Sequence, residues 1–223
     1  NRKSEEFFAR ASRYQVKGGS HNLRLFDPFP FYDVEARGSR VKDLDGNEYI
    51  DYWQGHFANI LGHNPPQITE ALVKTFRSGQ GLTTGLPGCL QMELAELILK
   101  SVQTDKIRFT TSGTLSTMYA VMLAMAATKR SMVMKAGGGW HGAQPFLLKG
   151  ITTYAHGFNF MESAGLPPGT DSLTVVTRFN DIEDLEAKFK EYGERLACLI
   201  IEPFMGAGGF ILSKPEYLRK VQE

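Results

Sequence analysis

Ile107-Arg108-Phe109-Thr110-Thr111-Ser112-Gly113-Thr114 is the stretch from which the rest of the chain can be read. Ile107 and Phe109 alternate with polar neighbours, the pattern of a short strand. Ser112-Gly113-Thr114 supplies small residues of the kind that begin helices. From Met118 to Ala127 the chain is almost wholly apolar, which predicts a helix buried on most sides. A helix start behind Ser-Gly-Thr offers unpaired N–H groups, two hydroxyls and the positive end of a dipole. Such a terminus is a ready phosphate site, and Gly113 would let the backbone approach the anion closely. Two readings stay open at this turn: an ordinary helix cap, and a site for a phosphate.

The chain has 223 residues, is 42% hydrophobic and carries 25 basic against 24 acidic side chains, for a net charge of +1. That composition supports one sizeable core, with or without a small appendage. The charge balance gives no electrostatic case for nucleic acid or for an anionic membrane. No apolar run is long enough to span a bilayer, and Asn1-Arg2-Lys3-Ser4-Glu5-Glu6 does not read as a signal peptide. A cytoplasmic protein is expected, with Cys89 and Cys198 as reduced, buried thiols. No Cys/His cluster has the spacing of metal ligands, so no metal is expected.

Upstream, residues 3–15 place Phe7, Phe8, Ala11 and Tyr14 at helical spacing, ended by Gly18-Gly19-Ser20. Residues 31–53 read as an antiparallel meander, with a turn at Arg37-Gly38-Ser39 and a hairpin at Asp45-Gly46. Pro65-Pro66 opens a helix to about Arg77, with Ile68, Leu72, Val73 and Phe76 on one face. A glycine-rich loop over Gly79–Gly88 precedes a second helix bearing Leu90, Leu94, Leu97 and Ile98. Downstream, strands are predicted at Ser131–Lys135, Leu173–Val176 and Leu196–Ile201, the last a near-continuous apolar run typical of a parallel strand covered on both faces. Gly137–Gly142, a long excursion over 150–172 and Gly206–Gly209 are loops. Asp181 caps a helix to about Arg195, and another starts near Lys214-Pro215. Alternation of strand and helix from Pro65 onward implies a three-layer α/β domain with a mostly parallel sheet. Loops follow strand ends at Thr111, Ala136 and Pro203, where open α/β sheets bind ligands, so three loops are expected to converge on one site.

Four segments resemble the class-III, fold-type I aminotransferases that depend on pyridoxal 5'-phosphate (PLP), above all the glutamate-1-semialdehyde aminomutase and β-amino-acid aminotransferase branch. They are Val41–Tyr52 with Leu61-Gly62-His63-Asn64-Pro65, Arg108–Thr114, Gly139-Trp140-His141-Gly142, and Ile201-Glu202-Pro203 with Gly206 and Gly208-Gly209. The resemblance implies a three-layer αβα PLP-transferase large domain over 61–223, incomplete here, preceded by a helix and β-meander segment over 1–60. It implies a homodimer acting on small-molecule amino donors and acceptors. Ser112, Gly113 and Thr114 match the turn that holds the cofactor phosphate. Trp140 stands where the family stacks an aromatic, most often tyrosine, on the pyridine ring. His141 and Glu202 fall in matching cofactor-binding positions, and Arg24 and His56 in substrate-binding ones. The lysine that carries the cofactor as a Schiff base and the aspartate that pairs the pyridine nitrogen are expected beyond Glu223, so this chain alone is not expected to be active.

Some residues depart from the family pattern. Leu115 and Ser116 stand where Glu and Ala are usual, and Ala207 where Asn or Glu is common. The leading expectation is amino-group transfer between an amino acid, an ω- or β-amino acid included, and a keto acid or semialdehyde. The alternatives are the intramolecular aminomutase reaction and an inactive paralogue that keeps the dimer fold. A nucleotide binder of the P-loop kind is disfavoured, because no Gly-Lys-Ser/Thr is present.

Overall fold

A computed structural model describes residues 2–81, 85–152 and 157–223. Part of the expected glycine-rich loop at 79–88 and part of the 150–172 excursion therefore lie outside the described residues. The chain forms two compact units, Asn1–Ile98 and Leu99–Glu223.

The first unit opens with α1 (Arg2–Ala11), which buries Ser4 and Ala11. It stops short of the expected residue 15. The Ser12 hydroxyl donates back to the Phe8 carbonyl and the N–H of Tyr14 closes a tight turn onto Ala11, leaving Tyr14 in solvent. Asp45 caps α1 from a distance, accepting from the N–H groups of Lys3 at 2.9 Å and Ser4 at 3.0 Å. The meander follows as β1 (Asp33–Arg37), β2 (Arg40–Asp43) and β3 (Glu48–Ile50), antiparallel in that order. Val41 pairs with Tyr49 across the Asp45-Gly46 turn, where Gly46 adopts φ +91°. Asp43 holds the turn together, accepting from Asp45 N, Asn47 N, Asn47 Nδ2 and the Tyr49 hydroxyl.

The stretch read as plain loop after β3 contains α2 (Gln54–Phe57), a single turn whose φ angles of 42°, 60°, 61° and 66° make it left-handed. Such backbone costs about 1–2 kcal/mol per non-glycine residue. Next come α3 (Pro66–Arg77) and α4 (Cys89–Leu99), as expected from their apolar spacing, but neither buries a residue among those described. Cys89 lies exposed at the start of α4, against the expectation of a buried thiol, while Cys198 is half-buried; both are free.

The second unit holds α5 (Gly113–Thr128), β4 (Met132–Ala136), β5 (Thr174–Thr177), α6 (Ile182–Tyr192), β6 (Leu196–Ile200), β7 (Phe204–Met205), β8 (Ile211–Leu212) and α7 (Pro215–Gln222). Its central sheet is parallel with β4 between β5 and β6. Side chains alternate across β4. Met132 and Met134 face one way and pack with Leu185 of α6 and Tyr217 of α7. Val133 faces the other way and packs with Val121 of α5 and Leu147. Helices thus cover both faces, the three-layer arrangement expected from the alternation.

Two of these expectations are corrected. Residues 107–110 form no ladder with any described strand; alternation says which side chains turn inward, and a strand also needs a partner edge. The helix after Ser112 is not buried on most sides: only Val121 is buried, and Leu123 is 67% exposed. Its composition is apolar all round, but β6 covers a single stripe. Gly206–Gly209 is a loop as expected, and it forms the tip of a short hairpin between β7 and β8, with Met205 paired to Ile211.

Candidate functional site

The helix start is built as the residues suggest. Ser112 is extended, and its hydroxyl accepts from Leu115 N at 3.2 Å. By helix geometry the N–H groups of Gly113 and Thr114 have no intrahelical acceptor. A Cβ on Gly113 would meet nothing within 4 Å, so the turn faces open space. The Thr110 hydroxyl donates to the Ser112 carbonyl at 2.9 Å and lies 2.5 Å from that of Ser116, bracing the turn from behind.

The loop after β4 closes onto this turn. Gly142, at φ +89°, comes so near that a Cβ there would sit 2.5 Å from Thr114 Oγ1 and 2.6 Å from its Cα. Only glycine fits. The Thr117 hydroxyl donates to the His141 carbonyl at 2.6 Å, a second tie between α5 and the loop. Trp140 stands 47% exposed beside them. His141 is buried, 7% exposed, and its Nε2 has no hydrogen-bond partner. Burial, helped by the nearby Lys135 charge, pushes its pKa down to about 4, so the ring is neutral at pH 7.

The third loop enters through Glu202. One carboxylate oxygen accepts from Trp140 N at 2.7 Å, the other from Gly206 N at 3.1 Å. The side chain joins the two glycine-rich loops at strand ends. Beneath them lies Lys135, on the same face of β4 as Val133 and fully buried. Its ammonium donates to the carbonyls of Gly139 at 2.8 Å and Leu147 at 3.1 Å. Burial pushes it down to about 8, against the pull of Glu202 and Glu162.

The predicted site residues therefore divide. Ser112, Gly113, Thr114, Trp140, His141 and Glu202 come together at the strand ends of the second unit. Arg24 and His56 belong to the first unit and are exposed. His56 rides on left-handed α2, packed edge-on to His21 at 5.2 Å and tilted against Trp53 at 4.7 Å. Sequence reasoning missed Lys135 and Thr117. A lysine inside the apolar run Met132-Val133-Met134 was the available signal, since a buried ammonium needs acceptors. Among the described residues no cluster of His, Cys, Asp or Glu could hold a metal, and no helix is long and apolar enough to cross a membrane.

The model of the family described as aminotransferase class-III matches residues 25–223. The chain belongs to the class-III aminotransferases. A curated relative, the glutamate-1-semialdehyde 2,1-aminomutase of Thermoplasma volcanium, is 36% identical over 221 residues, covering 99% of this chain and 52% of its own length. An ω-transaminase from Sphaerobacter thermophilus superposes with a TM-score of 0.92 at 29% identity, over 98% of this chain and 51% of that one. A solved transaminase with PLP bound also gives 0.92, at 31% identity over 99% and 52%. These neighbours carry the PLP-transferase fold that the residues implied. This class-III chain spans about half the length of the curated relatives it matches.

Proposed function

We propose that this chain is the cofactor-cradling part of an enzyme that moves an amino group between an amino acid, an ω- or β-amino acid included, and a keto acid or semialdehyde. The cofactor of the class-III family is PLP, and a PLP-bound transaminase is among the solved neighbours. The observation that carries the reading is the convergence of the Ser112–Thr114 turn with the Trp140-His141-Gly142 loop, Gly142 pressed onto Thr114. The residues fit the group. The helix start faces open space at Gly113, Trp140 keeps half its surface free for stacking, and the buried His141 Nε2 is left without a partner. When bound, PLP supplies an electron sink for negative charge at the amino-bearing carbon.

The chain's own residues then have distinct tasks. The N–H groups of Gly113 and Thr114 and the hydroxyls of Ser112 and Thr114 hold the phosphate. Trp140 covers a ring face and helps exclude water. His141, neutral, offers a ring nitrogen to hydrogen-bond with the cofactor. Glu202 acts through the loops, because both its oxygens are engaged by backbone N–H groups. Arg24 would grip a substrate carboxylate with its guanidinium, and His56 would line the same pocket. The Schiff-base lysine and the pyridine-pairing aspartate fall to residues beyond Glu223. A homodimer in the cytoplasm and a division of the chain near residue 60 belong to the same proposal.

The 36% identity to an aminomutase supports a second reading, intramolecular amino transfer. One experiment addresses both. The protein at the length of its relatives, incubated with PLP and dialysed, is expected to be yellow and to change absorbance with an amino donor. Conversion of glutamate-1-semialdehyde with no second substrate selects the mutase; a requirement for a keto acid selects the transaminase. A protein that stays colourless overturns both and leaves an inactive paralogue.

A further inference from the structure

Residues Gly137, Gly138 and Gly139 run directly into Trp140. Glycine places little restraint on its own backbone, and no side chain in that run can pack to hold the aromatic ring in place. A Cβ on Gly139 would lie 2.8 Å from His141 Nε2 and 3.2 Å from the Ala136 carbonyl, so no larger residue fits there. The restraint on Trp140 must come from groups outside the run.

The Gly139–Trp140 peptide supplies the point of attachment. Its carbonyl accepts from Lys135 Nζ at 2.8 Å, and its N–H donates to Glu202 at 2.7 Å. A trans peptide is planar, with these two groups pointing to opposite edges. We propose that Lys135 and Glu202 are a pair of positioning residues for Trp140, gripping one peptide plane by opposite edges with opposite charges. This rests on the reading that Trp140 stacks on the cofactor ring. The N–H groups of Gly137, Gly138 and Gly139 are tied to the carbonyls of Thr177, Gly150 and Ala136, but none of those bonds holds the Gly139–Trp140 plane. Rotating it would break both charge-assisted bonds at once, so the platform from which the indole leaves is fixed by this pair. Lys135 also holds the Leu147 carbonyl, and Glu202 the Gly206 N–H, so each grip is referred to a second, separate segment. Packing alone does not account for the lysine: a buried ammonium is costly, and an apolar side chain of like volume would fill the space without that cost.

The test uses the protein at the length of its relatives, stripped of cofactor and titrated with PLP by equilibrium dialysis. Lys135→Met and Glu202→Gln are each expected to weaken PLP binding about tenfold and to diminish the visible circular dichroism of the bound cofactor, which reports how the ring is held. In a Trp140→Ala background the same changes are expected to cost less than twofold, since the residue they position is gone. Equal losses in both backgrounds, or no loss in the native one, overturn the proposal. If Trp140→Ala by itself leaves PLP affinity and dichroism unchanged, the stacking reading fails and the clamp fails with it; if Trp140→Ala weakens binding while Lys135→Met and Glu202→Gln leave affinity and dichroism unchanged, the clamp alone fails. Thermal unfolding accompanies each titration; should Lys135→Met not fold, Glu202→Gln decides by the same comparison.

Discussion

His141 sits in a pocket that resists its charge. Its pKa in the fold is about 4, against an ordinary 6.5. Between those values the unfolded chain binds the proton and the folded one does not, so stability falls as pH drops from 6.5 toward 4. The loss reaches about 3 kcal/mol at most, at 1.36 kcal/mol per pH unit. Urea unfolding of cofactor-free protein at pH 4.5 and pH 7 is expected to show this acid loss, and His141→Gln to reduce it. An undiminished loss in the variant would assign it to other groups. Residues of this kind were only half legible in the sequence. His141 was singled out because a motif marked it, whereas the reasons for its neutrality, burial first and the nearby Lys135 charge second, are tertiary. Lys135 itself was passed over, because nothing local says where the acceptors for its ammonium come from. They lie four and twelve residues on, at Gly139 and Leu147.

At the level of elements, Ser112 has two duties that a substitution can separate. It caps α5 through Leu115 N, and it borders the proposed phosphate site. Ser112→Ala is expected to cost about 1 kcal/mol of stability and to weaken PLP binding. Ser112→Asp keeps a good capping oxygen but adds a negative charge, so thermal stability should stay near that of the native protein while PLP is lost on dialysis. Retention of PLP by the aspartate variant would argue against a phosphate at this turn. The helices and hairpins were legible where local chemistry specifies them: Ser112 and Asp181 as caps, Asp45-Gly46 as a hairpin turn, Pro66 opening α3. The elements that went wrong depend on distant pairing. Ile107 and Phe109 alternate without a partner edge, and Phe204-Met205 with Ile211-Leu212 is too short for periodicity to reveal. The left-handed α2 could not be foreseen either, since three of its four residues are not glycine.

For the molecule as a whole, the open feature is apolar surface on α3, α4 and α5. Ile68, Leu72, Phe76, Leu90, Leu97 and Leu123 all stand exposed, more than scattered single residues would explain. Prepared as these 223 residues alone, the chain is expected to bind an apolar dye strongly and to sediment as a species larger than a monomer. A dye-silent monomer would contradict that. The apolar spacing placed Ile68, Leu72 and Phe76, and Leu90 and Leu97, each on one face of a helix, and Leu123 in a helix buried on most sides, whereas all six stand in solvent. A different consequence follows from the order of the parallel sheet. The central strand β4 is flanked by β5 and β6, both of which come later in the chain. During synthesis β4 waits with both edges bare until β5 emerges at Thr174–Thr177, and with one edge bare until β6 ends at Ile200, and Glu202 follows almost at once. Lys135, Trp140 and Glu202 thus meet in a single late event, and the cradle comes into being only when the sheet does.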